Sequence, residues 1–286
     1  MAQRVIVGIA LGLFGILCLY LDNFFIYLAI VIVISVLATY ELFFATKYLK
    51  NKLLSFVSLV FVMLTPIIYN SPIKEYYREI YLGYILILFV IMLFKHERIK
   101  FEQLALVAFI AFAIPMSMSC NLGIRFDNFN EKSIHGLFFL FVALISAFIG
   151  DTGAYFVGTF FGKHKLAPKI SPNKTIEGFF GGILTVGVVT FLYSYSYQLY
   201  LDKLYPEQYE VNLILITLMS IVAATLGVLG DLSASLIKRE CSVKDFGNIM
   251  PGHGGILDRF DSLMFISPFV YQIVDRFSDI LIKALG

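Results

Sequence analysis

Tryptophan is absent from the 286 residues, histidine occurs four times, cysteine three times, and only 15% of positions are charged. Cys18, Cys120 and Cys241 stand far apart and no C-x-x-C pair occurs, so neither a disulfide framework nor a zinc site is suggested. The formal net charge of +2 says little about partners, and nucleic acid is not expected among them. Low-complexity tracts and clear internal repeats are missing. The G-x-x-x-x-G-K-[ST] phosphate loop is missing too, which excludes a P-loop nucleotide site.

Apolar sequence is what the chain has in excess. Hydrophobic residues make up 59%, with 29 Phe and 17 Tyr, and the mean hydropathy is +0.84. Runs of about twenty apolar residues match the thickness of a bilayer core, so the fold expected is all-α, a polytopic integral membrane protein with about nine transmembrane helices. The spans fall at roughly 5–21, 24–45, 53–69, 79–94, 102–119, 134–150, 178–201, 211–230 and 263–282. The first lacks a small-residue cleavage motif and reads as a retained helix. The last carries Asp275, Arg276 and Asp279, as an amphipathic or protein-packed helix would. One membrane domain over 1–286 is expected, with N-terminal helices in 1–133 and a catalytic half in 134–286.

Lys and Arg are distributed unevenly between the two sides these spans define. Fifteen fall on one side, including Lys47, Lys95, Lys174 and Lys238, and seven on the other. The majority side is expected in the cytoplasm, which puts the N-terminus inside. The two long polar segments, 151–177 and 231–262, share that side, within reach of nucleoside triphosphates.

Charge concentrates in the second segment. Positions 238–261 hold ten ionisable residues, Cys241 included. Asp258 and Asp261 share a helical face, and a divalent cation relieves the repulsion of two such carboxylates. Gly254 and Gly255 beside them let backbone amides approach an anion. Asp231 is the only charge in the apolar run 211–237, either a cytoplasmic helix N-cap or a metal ligand; the downstream carboxylates favour the ligand. On position alone Lys238, Arg239 and Lys244 read as ordinary topology determinants before phosphate contacts. His253 suits a hydrogen-bond donor or a structural link better than a base, because an ionised phosphate nucleophile needs none.

In the first segment, Ser171-Pro172-Asn173-Lys174-Thr175 reads as a turn feeding a helix N-terminus, where free amides favour phosphate. Gly178, Gly181 and Gly182 serve anion approach, helix packing or both. Glu41, late in the second span, is open between a functional carboxylate and one that snorkels or caps.

Taken together, Ser235-x-x-Lys238-Arg239, Lys244-Asp245 and His253-Gly254-Gly255-x-x-Asp258-Arg259-x-Asp261 resemble the signature of the phosphatidate cytidylyltransferases, or CDP-diacylglycerol synthases. The Asp151-Thr152-Gly153-Ala154-Tyr155 and Ser171 to Gly178 segments extend the resemblance over the C-terminal half. It implies transfer of CMP from CTP to phosphatidic acid in the bilayer, with Mg²⁺ and room for a second cation, by a homodimer. On that reading Asp231, Asp258 and Asp261 hold the metal. Lys174, Lys238, Arg239, Lys244 and Arg259 face phosphates, and Ser171, Thr175, Gly254 and Gly255 supply neutral donors. A CTP-dependent polyprenol kinase, another lipid cytidylyltransferase and an anion transporter are the alternatives; a transporter would carry its polar motifs in both halves.

Overall fold

A computed structural model describes residues 22–48, 51–128, 131–132, 135–250 and 254–284. The chain divides into two compact units, Met1–Lys132 with Ile237–Phe260, and Ser133–Leu236 with Asp261–Gly286.

The first unit is built on α1 (Phe24–Ala45), α2 (Lys52–Tyr69), α3 (Tyr77–Phe94, preceded by a 3₁₀ turn at Pro72–Tyr76) and α4 (Phe101–Arg125). In hydrocarbon every backbone polar group must be satisfied within its own segment, which is why these apolar runs become helices. The helix α4 packs against the other three, and its end is tied to the start of α1. Arg125 grips Asp22 through Nε at 3.0 Å and Nη2 at 2.6 Å, above a cluster of Phe24, Leu28, Leu122 and Phe126. Between α2 and α3, Tyr84 stacks on Phe61 at 4.1 Å and donates to Ser58 Oγ at 2.7 Å. A short strand β1 (Phe126–Asn128) pairs with β2 (Glu131–Lys132) at the unit's edge.

The second unit begins with α5 (Gly136–Leu144), which passes through a π-helical turn at Ile145–Ile149 into α6 (Gly150–Phe161). A hairpin of β3 (Lys165–Ala167) and β4 (Ser171–Thr175) leads into α7 (Ile176–Leu204). Then come β5 (Tyr209–Val211), α8 (Leu213–Glu240, counted with the first unit from Ile237), α10 (Leu263–Leu281) and β6 (Ile282–Ala284), which pairs with β5; the single turn α9 (Leu257–Phe260) belongs to the first unit.

Seven helices among the described residues are long and apolar enough to cross a membrane, so the protein is an all-α, multi-pass membrane protein. The expected span 5–21 lies outside the described residues. The helix α10 forms but is not one of the seven; it carries the three charges noted above and departs from helical geometry at Phe277. Two boundaries differ from expectation. The segment 134–150 does not end at Gly150: the helical run continues to Phe161, so the polar connection starts only there. Likewise 211–230 continues to Glu240, carrying Asp231 inside the helix. In both places a polar residue was taken for a loop boundary, although short polar stretches are tolerated in helices that pack on protein.

Candidate active site

In the first unit the chain after α8 folds back as a loop whose backbone amides close on two carboxylates. Asp258 lies in α9 with its side chain 5% exposed. Its Oδ1 accepts from Lys238 Nζ at 2.8 Å, and its Oδ2 accepts from the backbone N–H of Phe246 at 2.9 Å and of Gly255 at 3.0 Å. The Lys238 ammonium also lies 5.4 Å from the centre of the Phe246 ring. The loop reverses at Gly254, whose φ of +83° belongs to the left-handed region that favours glycine. There Met250 N–H donates to the Gly254 carbonyl at 3.1 Å.

Glu41 holds the same loop from the side of α1. It is 2% exposed; Oε1 accepts from Ile256 N–H and Oε2 from Leu257 N–H, each at 3.0 Å. Gly247 and Gly255 lie so close that a Cβ at either position would collide with the carboxylate. A buried carboxylate is costly unless its lone pairs are satisfied, and charge-assisted bonds from backbone amides do that. Glu41 and Asp258 together take the amides of 246, 255, 256 and 257.

In the second unit Asp231 sits in the body of α8, so the N-cap alternative falls. Its carboxylate pairs with Lys174 of β4, and Ser235 Oγ, one turn on, lies 3.5 Å from Oδ1. Asp261 is 8% exposed and its Oδ1 accepts from Ser262 N–H at 2.8 Å. Gly230 lies against the Asp261 backbone, since a Cβ there would stand 2.6 Å from the Asp261 carbonyl oxygen. Thr175 caps α7, its Oγ1 accepting from Gly178 N–H at 3.1 Å. Ser171 opens β4. Glu177 gathers the start of the hairpin, accepting from Lys163 N–H at 3.1 Å and lying 2.6 Å from His164 Nδ1.

The glycines of α6 and α7 serve close packing. A Cβ at Gly178 would meet the Ala154 carbonyl at 2.7 Å, one at Gly182 the Gly150 carbonyl at 2.7 Å, and one at Gly181 the Val157 side chain. Small residues let helix backbones approach in lipid, where packing replaces the hydrophobic effect as the driving force.

Of the remaining candidates, Arg239, Lys244 and Arg259 are exposed, Lys244 making no ion pair among the described residues. His253 lies outside the described residues. Among the described residues no group of three or more His, Cys, Asp or Glu is arranged to hold a metal ion. Mg²⁺, however, commonly takes only one or two carboxylates beside substrate phosphates and waters.

The chain matches the model of the cytidylyltransferase family over residues 2–277. The chain belongs to that family. It is 34% identical over 285 residues, 97% of its length and 99% of the relative's, to the phosphatidate cytidylyltransferase of Bacillus subtilis (strain 168). It is 48% identical to that of Staphylococcus epidermidis (strain ATCC 12228 / FDA PCI 1200) over 149 residues, 52% of this chain and 54% of the relative. The Staphylococcus aureus (strain COL) enzyme of the same name is 44% identical over 149 residues, again 52% and 54%. In this cytidylyltransferase family member, sequence reasoning left the part played by Glu41 undecided. Its one signal was being the only charged residue in the apolar run 24–45; its partners lie 215 and 216 residues away.

Proposed function

We propose that this chain is a phosphatidate cytidylyltransferase, forming CDP-diacylglycerol and pyrophosphate from CTP and phosphatidic acid. The observation that carries this is the 34% identity, spanning 97% of the chain, to a relative of that name. An oxygen of the phosphatidate monoester attacks the α-phosphorus of CTP in line. The new P–O bond forms as the bond from the α-phosphorus to the α,β-bridging oxygen breaks, and pyrophosphate takes the electron pair. An ionised phosphate nucleophile brings its own lone pair, so no general base is required, and catalysis is mainly positioning and electrostatics.

Cations supply the electrostatics. Lys238 and Lys174 are held in place by Asp258 and Asp231, and each ammonium has donors left for a phosphate oxygen. Arg239, Lys244 and Arg259 stand on the exposed side, suited to the triphosphate or the lipid phosphate. The amides of 255, 256 and 257 are taken by Asp258 and Glu41, which fixes the loop that carries Asp258. Thr175 sits where α7 begins and its positive dipole end lies, and Ser171 opens the strand that leads to it. Mg²⁺, held by Asp231 and Asp261 with the substrate phosphates, would neutralise charge on the triphosphate. Asp258, which the resemblance also assigns to the metal, accepts from Lys238 and from two backbone amides.

The excess of Lys and Arg on one side supports a cytoplasmic active site and N-terminus. Family resemblance supports a homodimer, which light scattering of the detergent-solubilised protein would test. A labelling experiment tests the reaction. Radiolabel from the α-phosphate of CTP should enter the lipid fraction, whereas label from the γ-phosphate should leave as pyrophosphate; the reverse pattern would make the protein a lipid kinase.

A further inference from the structure

One cavity of the first unit is lined by no residue of the 246–258 loop. It measures about 470 Å³, and its lining includes four cations, Lys47 from the α1–α2 connection, Lys52 at the start of α2, and Lys95 and Arg98 from the α3–α4 connection. That volume lies within the range of small-molecule sites. Because α1 to α4 are joined by consecutive connections, both of these lie at the same end of the helices. No ion pair is made by any of the four cations among the described residues, although Glu97 and Glu102 share one of the connections. Four like charges around one cavity repel unless an anion sits among them. Tyr48, Asn51 and Gln103 add neutral polar groups to the wall.

Basic residues at helix ends commonly serve topology alone, but topology does not require a cavity. The apolar surface beside it points further. Leu53 and Phe56 on α2, and Leu93 and Phe94 at the end of α3, are 42%, 66%, 69% and 85% exposed. Below a cation-lined mouth, such a surface offers a path for acyl chains. Basic pockets between transmembrane helices bind anionic headgroups in this way.

We propose that this cavity is a binding site for the headgroup phosphate of an anionic phospholipid, with the acyl chains lying along α2 and α3. None of its residues has a part in the CMP transfer described above, so the proposal goes beyond that reading.

The test uses the purified full chain in detergent, titrated with phosphatidylglycerol or phosphatidylcholine and read by native mass spectrometry. Wild type should retain one phosphatidylglycerol at least about tenfold more tightly than phosphatidylcholine, and Lys95→Gln or Arg98→Gln should each weaken that retention about fivefold. Asn51→Trp, which leaves every charge in place but fills the cavity, should also lose the preference, whereas Lys203→Gln in the last turn of α7 should keep it. Far-ultraviolet circular dichroism checks that each variant is folded. Equal retention of the two lipids by wild type, or unchanged retention in Asn51→Trp, would overturn the proposal. Displacement of the bound lipid by millimolar CTP would overturn it too, assigning the cavity to the nucleotide. Displacement by inorganic phosphate at the same concentration would assign it to a soluble anion.

Discussion

Replacing Glu41 with alanine is the sharpest perturbation the structure offers, because it touches no exposed atom and yet should disable the signature loop. The substitution removes both acceptors of Ile256 and Leu257 N–H. Hydrogen bonds to a charged group contribute about 1.5–3 kcal/mol each, so about 3–6 kcal/mol of anchoring is at stake. Loss of the buried charge itself offsets part of this, leaving about 2–4 kcal/mol. If that falls on local opening of the loop, the open population rises roughly 30- to 1,000-fold. Hydrogen exchange of the peptide containing 254–258 should accelerate accordingly, while exchange in the middle of α7 stays as in wild type. The rate loss should appear in kcat more than in KM for CTP, because the loop is disordered in its geometry and the exposed cations remain. Glu41→Gln keeps one acceptor oxygen and should fall between alanine and wild type. Wild-type exchange and turnover in a folded Glu41→Ala protein would refute the positioning role.

Gly181→Val should drive a side chain into Val157 and lower the melting temperature by an overpacking cost of about 1–3 kcal/mol, measured by thermal denaturation in detergent; unchanged stability would contradict the close α6–α7 packing. Lys174→Met should leave Asp231 without its cation and reduce turnover, with Asp231→Asn/Lys174→Met less impaired than the sum of the single changes, as a double-mutant cycle would report. On a cysteine-free background, single cysteines at Lys169 and Ser242 should resist an impermeant maleimide in intact cells and react after permeabilisation; ready labelling of both in intact cells would reverse the proposed orientation.

The spans were legible because bilayer length and apolar run length are the same quantity, as Phe24–Ala45 and Lys52–Tyr69 illustrate against expectations of 24–45 and 53–69. A helix starting after Thr175 was legible from the Ser171 to Thr175 stretch and the Glu-Gly that follows, although that stretch is a strand of a hairpin and not the turn expected. The continuation of α6 through Asp151 and of α8 through Asp231 was not, since an aspartate at the edge of an apolar run reads as the end of the span although the helix runs on. The packing use of Gly178, Gly181 and Gly182 was foreseen only as one of two uses, because sequence cannot say which helix faces them. Glu41 was undecidable for a different reason: its partners are backbone amides more than two hundred residues away, and an amide carries no signal in the sequence.

Simultaneous quantification of CDP-diacylglycerol and pyrophosphate tests the central claim most directly, using purified wild type and Asp258→Asn with CTP, Mg²⁺ and phosphatidate. Asparagine keeps the shape of Asp258 but removes the charge facing Lys238 and two backbone amides. Wild type should release one pyrophosphate for each CDP-diacylglycerol formed, and the folded variant should form both roughly 100- to 1,000-fold more slowly, as the loss of about 3–4 kcal/mol requires. Pyrophosphate without CDP-diacylglycerol from wild type, or wild-type turnover from Asp258→Asn, would contradict the account.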